Sequence, residues 1–488
     1  MSVTSKPFLQ PLDRTAIALM LVLSLLIGLL LWQGDAVTPR VRNFSWQDKQ
    51  VGAEDISFTL TFSRPMETKS VEANLHIYPP LPGKVSWAGR RMVYTLLAPA
   101  PYDMAYTVQL QGARDQFTEE EADQRLLQPF KGNFRSHDRA LVYLGLAGEE
   151  QGRLVLYNLT HQQKTLLTPK DLVVVDFKPY PSGENVLFSA TKRTSEHQNL
   201  LTSQLYTVTT GIQRSKKAGS INLILDNKDY QNLKFDLSAD GQTIVVQRVN
   251  QRNPSDFGLW ILRPNQKPQY LETQPGGDFM ITPDSTAVAV AQGQGVAILP
   301  LQSDAKKPLD FLPQFGMVLD FAHDGSAAVM VKFNSDYTRS LFLVTNQGVQ
   351  KQLLRTNGSI LSAQFDPHKQ TLYCLLTQLL QGETYQEQPY LAAIDIKTGK
   401  QTPLLVLPNQ RDVQISLSPD GLALLFDQVV TTTKPEMANG LQTNEGEVIA
   451  TGRLWLLPLL PATSSEATLA QLQPEQLPLP GFHPRWLP

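Results

Sequence analysis

A short turn phrase recurs along this chain, and it constrains the fold more than any other sequence feature. In its clearest copy the apolar residues 415–417 lead into Ser418, Pro419, Asp420 and Gly421, and a second apolar stretch follows. Proline presets φ for such a turn, aspartate caps it, and glycine takes the position with positive φ. Further copies of the phrase occur around Phe177, Phe235, Met280, Phe321 and Phe365. Short strands on both sides of a fixed turn, repeated at intervals of roughly 40–60 residues, predict the blades of a β-propeller.

The blade count depends on how the two ends of the repeat region combine. Residues 140–167 read as strands B, C and D of a blade that lacks strand A, whereas residues 481–488 read as an isolated strand A. The simplest arrangement completes the first blade with the last strand, because an unpaired ring edge invites aggregation. The sequence therefore predicts an all-β propeller over residues 140–488, closed by the C-terminal strand. Seven blades are favoured, six or eight remain open, and the arrangement requires an ordered Trp486.

These repeats resemble those of TolB-type propellers. The resemblance rests on the turn phrase and on apolar C strands such as Leu-Trp-Ile-Leu at residues 259–262 and Leu-Trp-Leu-Leu at residues 454–457. It covers residues 140–488, and it implies the propeller fold for that part of the chain.

A different pattern occupies residues 39–136. Residues 56–62 alternate between apolar and polar side chains, as a half-buried strand does, and residues 71–78 are expected to form another strand. Short strands between closely spaced turns predict an antiparallel sandwich. The segment resembles the bacterial Ig-like domain of SbsA type at residues 62–66 (Phe-Ser-Arg-Pro-Met), at Trp87 and at residues 106–108 (Tyr-Thr-Val). That resemblance implies a spacer or adhesive unit in an extracytoplasmic bacterial protein.

The N-terminal segment predicts a membrane anchor. Residues 16–32 are apolar apart from Ser24 and Gly28, and together with their neighbours they nearly span a hydrocarbon core of about 30 Å. We therefore expect a cytoplasmic tail over residues 1–14 and a single-pass transmembrane signal-anchor over residues 15–33. The bulk of the chain would then be extracytoplasmic, either periplasmic or lumenal. A cleaved signal peptide, which would leave a soluble periplasmic propeller, is the alternative.

Composition and motifs exclude several classes of function. The formal net charge is −2, from 43 Lys and Arg against 45 Asp and Glu, which argues against nucleic acid as a partner. The chain contains no Gly-x-Ser-x-Gly elbow, no phosphate-binding loop, no His-Glu-x-x-His and no Cys-x-x-Cys. No catalytic residue, cofactor or metal site is therefore predicted.

Long connections between strands B and C point to a recognition surface. They cover residues 145–152, 191–203, 378–388 and 430–451, and the blades that carry them are neighbours in the ring. Long loops in a compact fold are usually functional or disordered. The longest loop supplies the predicted binding residues Thr431, Lys434, Glu436, Asn439, Glu445 and Glu447.

Two functions are consistent with this sequence. The first is a membrane-anchored, extracytoplasmic interaction or scaffold protein, whose propeller face with the long loops binds a protein or a cell-envelope polymer. The second is a hydrolase or lyase that acts on glycans or peptides through the propeller funnel. The second function needs convergent Asp, Glu, His or Arg side chains at the inner strand ends, and the sequence does not assemble such a set.

Overall fold

A computed structural model describes most of the chain. The described residues are 11–32, 38–116, 126–193, 202–212, 217–272, 276–293, 295–302, 310–380, 386–407, 412–432, 441–443, 446–459 and 473–488. The chain divides into two compact units. One comprises Met1–Lys49, Ser57–Thr95 and Tyr106–Phe134, and the other comprises Gln50–Ile56, Leu96–Ala105 and Arg135–Pro488. The predicted domain limits, 39–136 and 140–488, stay predictions.

Helix α1 (Pro11–Trp32) covers the segment that was expected to anchor the chain in a membrane. Among the described residues, no helix combines the length and the apolar character that a membrane crossing requires. The predicted single-pass membrane localisation, with its signal-anchor over residues 15–33, is therefore wrong. The predicted tail over residues 1–14 stays a prediction.

Two four-stranded sheets lie in the N-terminal part of the chain. With strands numbered in chain order, their orders are β1-β3-β6-β5 and β2-β8-β7-β4. The strands are β1 (Val41–Phe44), β2 (Gln50–Val51), β3 (Ser57–Phe62), β4 (Leu75–Tyr78), β5 (Gly83–Ala88), β6 (Arg91–Leu96), β7 (Ala105–Leu110) and β8 (Phe130–Ser136). Helix α2 (Thr68–Asn74) occupies the first half of the segment predicted as a strand, and its buried residue is Val71. Val71, Ala73, Leu75 and Ile77 alternate with polar residues as in a strand, so the sequence pattern does not reveal this helical turn.

Aromatic rings join the two N-terminal sheets. Phe44 of β1 lies 6.3 Å from Phe134 of β8 between ring centroids, and Trp46 lies 5.0 Å from the same ring. Phe58 of β3 packs against both Phe44 and Trp46 at 5.3 Å. Such edge-to-face and tilted contacts add to the stabilisation that comes from burial alone. The two sheets therefore pack face to face, as a sandwich does, and the Ig-like assignment stays a prediction.

Seven further four-stranded sheets are formed by the described residues from Ala140 onward. The shared sheet contains β9 (Ala140–Gly145), β10 (Leu154–Asn158), β11 (Gln163–Leu166) and β36 (Gly481–Trp486), and a short 3-10 helix (Gly148–Glu150) follows β9. Sheet 1 contains β12 (Leu172–Pro179), β13 (Asn185–Lys192), β14 (Gln204–Thr209) and β15 (Ile221–Leu225). Sheet 2 contains β16 (Tyr230–Leu237), β17 (Ile244–Asn250), β18 (Phe257–Leu262) and β19 (Gln269–Leu271).

Sheets 3 to 6 repeat the same order of four antiparallel strands. Sheet 3 contains β20 (Phe279–Ile281), β21 (Ala287–Gln292), β22 (Gly295–Pro300) and β23 (Asp310–Leu312). Sheet 4 contains β24 (Met317–Phe321), β25 (Ala327–Phe333), β26 (Arg339–Thr345) and β27 (Gln350–Thr356). Sheet 5 contains β28 (Ile360–Phe365), β29 (Thr371–Leu379), β30 (Glu387–Asp395) and β31 (Gln401–Val406). Sheet 6 contains β32 (Ile415–Leu417), β33 (Ala423–Thr431), β34 (Ile449–Pro458) and β35 (Glu475–Gln476). This succession is the all-β, propeller-like arrangement that the turn phrase predicts.

The C-terminal strand completes the first of these sheets. β36 pairs antiparallel with β9, with Phe482 opposite Leu144 and Trp486 opposite Leu141. Trp486 is 5% exposed, and its backbone N–H donates to Ser416 Oγ of sheet 6 at 3.1 Å. The prediction that the last strand pairs into the first sheet is therefore confirmed.

A separate apolar cluster fills each gap between neighbouring sheets. Leu187 and Leu205 of sheet 1 pack with residues of sheet 2, whereas Val186 and Phe188 of the same sheet pack with the shared sheet. The other five junctions have equivalent clusters. Successive side chains of a strand point to opposite faces, so each sheet buries both of its faces. The inner strands also meet around a closed circuit, by direct contact at six junctions and by the Lys178–Asp236 ion pair between sheets 1 and 2.

Closure by β36 gives the first testable prediction. Trp486→Ala should lower the free energy of unfolding by about 3–5 kcal/mol, because the indole is buried in the cluster between sheet 6 and the shared sheet. Thermal or urea unfolding of the full chain measures the loss. Val349→Ala, at an exposed turn of sheet 4, is the control and should change stability by less than about 0.5 kcal/mol. Equal stability of the two variants would contradict closure by β36.

Candidate functional site

The inner strands place one side chain of each sheet at an equivalent point, two residues before the turn phrase. In the turn of every complete sheet a backbone N–H bonds back across the hairpin, as Ser238 N does to Thr243 O and Tyr180 N does to Asn185 O, and this bond fixes the alignment. We name the point two residues earlier the ring position. Its occupants are Lys178, Asp236, Met280, Asp320, Gln364, Ser416 and, in the shared sheet, Arg485.

Polar ring residues bond across to the next sheet. Gln364 Oε1 accepts from Leu417 N at 2.7 Å, and Ser416 Oγ accepts from Trp486 N at 3.1 Å. The carboxylate of Asp320 accepts from Phe365 N at 2.9 Å in the same way. Each bond satisfies a backbone donor of the inner strand, one residue beyond the next ring position. An unsatisfied buried donor would cost about 1–3 kcal/mol, so these contacts stabilise the ring.

Two aspartates satisfy two donors each, where the preceding ring residue has no acceptor to offer. Asp236 Oδ1 accepts from its neighbour Leu237 N at 2.9 Å, and its Oδ2 accepts from Ile281 N at 2.7 Å. Asp320 likewise accepts from Phe321 N as well as from Phe365 N. The residues that precede them in the ring are Lys178 and Met280, neither of which can accept through an oxygen.

The junction between the shared sheet and sheet 1 has no backbone donor to satisfy. The residue after Lys178 is Pro179, which has no N–H. The shared sheet accordingly carries Arg485, a pure donor, at the ring position. Arg485 Nη1 donates to the Ile415 carbonyl at 3.3 Å. No carboxylate of the described residues lies within ion-pair distance of this guanidinium.

Further charged side chains lie two residues earlier on the inner strands. Asp176 accepts from Phe177 N at 2.8 Å and lies 3.7 Å from His483 Nε2, and Lys234 forms an ion pair with Asp278. The Asp176 side chain is 44% exposed, yet burial raises its pKa and the positive charge of Arg485 opposes that rise. Charged side chains of the inner strands therefore lie near one another. We name the space that the inner strands surround the channel.

Burial perturbs three more groups along this channel. It raises the pKa of Asp320 to about 7, against the lowering effect of its bonds from Phe365 and Phe321. It also raises the pKa of Asp427 to about 7, and this carboxylate accepts from Gln414 N and His483 N, each at 2.7 Å. Burial lowers the pKa of His483 to about 3, so its imidazole is neutral at physiological pH. Within the described residues, no three His, Cys, Asp or Glu side chains are placed to hold a metal ion.

The connections between strands B and C lie on one face of the ring. We name this face the B–C face. Leu441 of the longest loop is 3% exposed and packs with Val429 and Ile449 of sheet 6. The same cluster includes Leu146, which follows β9, and Val173 at the start of sheet 1. Long connections of sheet 6 and of the shared sheet thus meet here against the first strand of sheet 1. Deleting residues 434–447 would remove Leu441 from its cluster, so we expect that deletion to lower stability.

The structure places two of the six binding residues predicted from sequence. Thr431 ends β33, pairs with Ile449 and is exposed. Glu447 lies in a tight turn, where its backbone N–H donates to Thr443 Oγ1 at 3.2 Å. Lys434, Glu436, Asn439 and Glu445 lie outside the described residues. The proposed role of these six residues stays a prediction.

Sequence reasoning missed the charged channel and one exposed aromatic residue. The channel residues could have been found, because each lies at a fixed offset from the turn phrase. Tyr337, which connects β25 to β26, is 92% exposed and has φ of 63°. No sequence pattern marks a tyrosine for that left-handed conformation, which bulky residues rarely adopt.

Comparisons with known proteins found similar solved structures but no similar sequence. No family model matches the chain, and no curated protein matches its sequence significantly. TolB from Acinetobacter baumannii is a similar solved structure, with 13% identity, coverage of 85% of this chain and 83% of that one, and a TM-score of 0.40. Oligogalacturonate lyase from Vibrio parahaemolyticus has 12% identity, coverage of 57% and 80%, and a TM-score of 0.44. An oligogalacturonate lyase in complex with manganese has 13% identity, coverage of 64% and 83%, and a TM-score of 0.45.

The perturbed pKa of Asp320 gives a second prediction. A carboxyl whose pKa rises on folding stabilises the folded state fully below its unfolded pKa, and this contribution is lost as pH rises through about 7. Melting temperatures should therefore fall between pH 5 and pH 8. Asp320→Asn should reduce that loss by about 1–3 kcal/mol, since one unit of pKa corresponds to about 1.4 kcal/mol.

The control is a carboxyl of the opposite kind. Asp324 pairs with Lys369, which lowers its pKa to about 2, so its contribution is lost only in acid. Asp324→Asn should leave the fall of the melting temperature between pH 5 and pH 8 as large as in wild type. Equal slopes for wild type and Asp320→Asn would show that Asp320 does not titrate in this range.

Proposed function

We propose that this chain is a protein-binding module built on a seven-bladed propeller over residues 140–488. Its B–C face docks a partner protein, and the two-sheet segment over residues 39–136 serves as an Ig-like spacer of SbsA type. The observation that carries the proposal is Tyr337, an almost fully exposed aromatic residue in a strained backbone conformation on the B–C face. Residues held in sparsely populated backbone regions cluster at functional sites.

The turn that carries Tyr337 is held rigid by polar contacts. Asn334 Nδ2 donates to Thr338 Oγ1 at 3.0 Å and to Ser340 Oγ at 2.9 Å, while Tyr337 N donates to the Asn334 carbonyl at 3.1 Å. Asp336 accepts from Thr338 and pairs with Arg355. A rigid turn loses little conformational entropy when a partner binds. Tyrosine on such a turn has the character of an interface anchor.

Other exposed apolar side chains lie at the same end of consecutive sheets. Phe333 ends β25 and is 57% exposed, Leu361 lies near the start of β28, and Leu379 and Val430 lie at or near the ends of β29 and β33. β29 and β33 each have nine residues against six in β21, so their hairpins extend about 10 Å further. Apolar side chains gathered at one end of sheets 4 to 6 support a protein interface.

Charge reversal at the anchor gives the third prediction. Tyr337→Glu should weaken partner binding by about 2 kcal/mol or more, because it places a carboxylate where an apolar pocket of the partner must close. Crosslinking and pull-down with the full chain as bait should recover the partner, and titration of the recovered partner measures its affinity. Phe333→Glu, on the same turn, should weaken binding in the same direction.

Val349→Glu is the matched control, because Val349 is as exposed as Phe333 but lies at a C–D turn on the opposite face. If Tyr337→Glu and Val349→Glu weaken partner binding equally, the B–C face is not the docking surface. Capture of a cell-envelope polymer in place of a protein would move the proposal to that class of ligand.

A hydrolase or lyase remains the second candidate function, because burial raises the pKa of Asp320, a residue of the inner strands, to about 7. General acid catalysis requires a carboxyl whose pKa lies near the working pH. Two observations weigh against it: Asp236 and Asp320 are occupied by backbone donors, and the described residues contain no metal-binding set. If the chain turns over a glycan or peptide and Asp320→Asn abolishes that turnover, the result would favour the hydrolase or lyase function.

A further inference from the structure

The channel contains one cationic side chain that the fold does not use. At the ring positions of sheets 2, 4, 5 and 6, an oxygen accepts from the backbone of the next sheet. Pro179 removes that requirement at the shared sheet, and the residue there is Arg485. Its guanidinium has five N–H donors, of which one bond, to the Ile415 carbonyl at 3.3 Å, is made within the described residues.

The position of Arg485 is costly for the folded protein. Burial lowers its pKa, which means that the charged form is desolvated, while the negative charges of Asp176 and Asp427 oppose that effect. By accessible surface Arg485 is partly buried. No carboxylate of the described residues lies within 4.0 Å of it to compensate. A guanidinium without a carboxylate partner can donate its N–H groups to a carboxylate of a bound ligand.

Asp176 provides the opposite charge on the neighbouring inner strand. Its Oδ1 accepts from Phe177 N at 2.8 Å, and its Oδ2 has no hydrogen bond from the described residues. The side chain is 44% exposed and lies on β12, which contacts β36. Asp176 and Arg485 act on each other electrostatically without forming an ion pair within 4.0 Å. A ligand that binds both groups would therefore not have to break a direct ion pair between them.

His483 is the independent sign of a site. Its side chain is buried, with 7% of the residue exposed, and Nε2 makes no hydrogen bond within the described part of the protein. Nε2 lies 3.7 Å from Asp176 Oδ1, and the ring packs against Phe177 with centroids 5.0 Å apart. A buried nitrogen without a hydrogen bond costs free energy. Asp176 would supply that bond if its carboxylate moved closer when a ligand binds. His483 is thus placed to orient Asp176.

The surrounding charges select among possible ligands. Lys178 is paired with Asp236 and Lys234 with Asp278, so these two lysines add no unbalanced positive charge. The remaining pair, Arg485 and Asp176, is one positive and one negative group. A polyanion such as a phosphate ester would meet a single free cation and a repelling carboxylate. A molecule with one carboxylate and one ammonium group matches both.

We propose that Arg485 and Asp176 form a binding site for a small zwitterionic amino acid in the propeller channel. Its carboxylate binds the guanidinium of Arg485, and its ammonium group binds Asp176, which His483 orients. The site is independent of the B–C face, because none of its residues lies among the exposed apolar groups of that face.

The test is calorimetric titration and thermal unfolding of the full chain with named probes. Glycine, L-alanine and L-glutamate carry both charged groups, acetate carries the carboxylate alone, ethylamine carries the ammonium alone, and inorganic phosphate is the polyanion. At least one amino acid should bind and raise the melting temperature, and the single-charge probes and phosphate should bind at least about tenfold more weakly, since each charged hydrogen bond is worth about 1.5–3 kcal/mol. Absence of binding by all three amino acids at millimolar concentration, or tighter binding of phosphate, overturns the proposal.

Variants separate a binding role from a structural one. Arg485→Met should weaken amino acid binding by about 10- to 100-fold. Its melting temperature without ligand measures what the lost bond to the Ile415 carbonyl and the lost charge beside Asp176 contribute to stability. Asp176→Asn should weaken binding while keeping the bond from Phe177 N. Arg485→Lys keeps the positive charge but loses the planar guanidinium that can donate two parallel hydrogen bonds to a carboxylate. This variant should therefore also bind the amino acid more weakly.

Two controls complete the design. Arg355→Gln removes a surface arginine of the same charge and should bind the amino acid like wild type. Tyr337→Glu, which disrupts the proposed docking face, should also leave amino acid binding intact, so failure of one proposal is distinguishable from failure of the other. Amino acid binding that survives both Arg485→Met and Asp176→Asn overturns the proposed site.

Discussion

Each sheet of the second unit is apolar on both faces, and the rest of the structure depends on this constraint. In sheet 1, Val186 and Phe188 face the shared sheet and Leu187 faces sheet 2, because neighbouring side chains of a strand point in opposite directions. A sheet of this kind needs two neighbours, and a linear stack would leave an apolar face uncovered at each end. The circuit of clusters removes both ends. Burial, more than any single polar contact, dictates that the sheets close on themselves.

The polar chemistry of the channel is subordinate to that closure. Bringing seven inner strands together creates backbone donors that face the next sheet, and buried donors must be bonded. Asp236 and Asp320 each satisfy two of them, while Gln364 and Ser416 satisfy one each. Where Pro179 offers no donor, the sequence is free to place a side chain of another kind. Because Pro179 has no N–H that needs an acceptor, the ring position that precedes it in the shared sheet can hold Arg485.

Much of this architecture could be predicted from the turn phrase. Pro419 and Gly421 mark a turn whose geometry is local, so its copies locate the inner strands, and the missing strand A at Ala140 predicts the pairing of residues 481–486. The helix α2 could not be predicted in this way, because Val71 fits either a strand or one helical turn. The length of α1 and the apolar run within it likewise suggested a membrane span, although no helix among the described residues meets that requirement.

The candidate sites were harder to predict, for two different reasons. Offsets from the turn phrase locate the channel residues, but they do not show which of those residues lack an ion-pair partner, as Arg485 does among the described residues. Tyr337 depends on a backbone conformation that hydrogen bonds of Asn334 and Thr338 impose, and those bonds exist only in the folded turn.

The pairing of β36 with β9 also has a consequence for synthesis of the chain. β9 leaves the ribosome early, whereas its partner lies some 340 residues downstream, a separation that translation at about 5–20 residues per second covers in tens of seconds. Throughout that interval β9 has a free edge able to pair with a strand of another nascent chain. The ring therefore acquires its stability only after translation of Trp486, and the hazard on the way is swapping of the last strand between copies. We expect a chaperone that shields sheet edges to benefit this chain most during that interval.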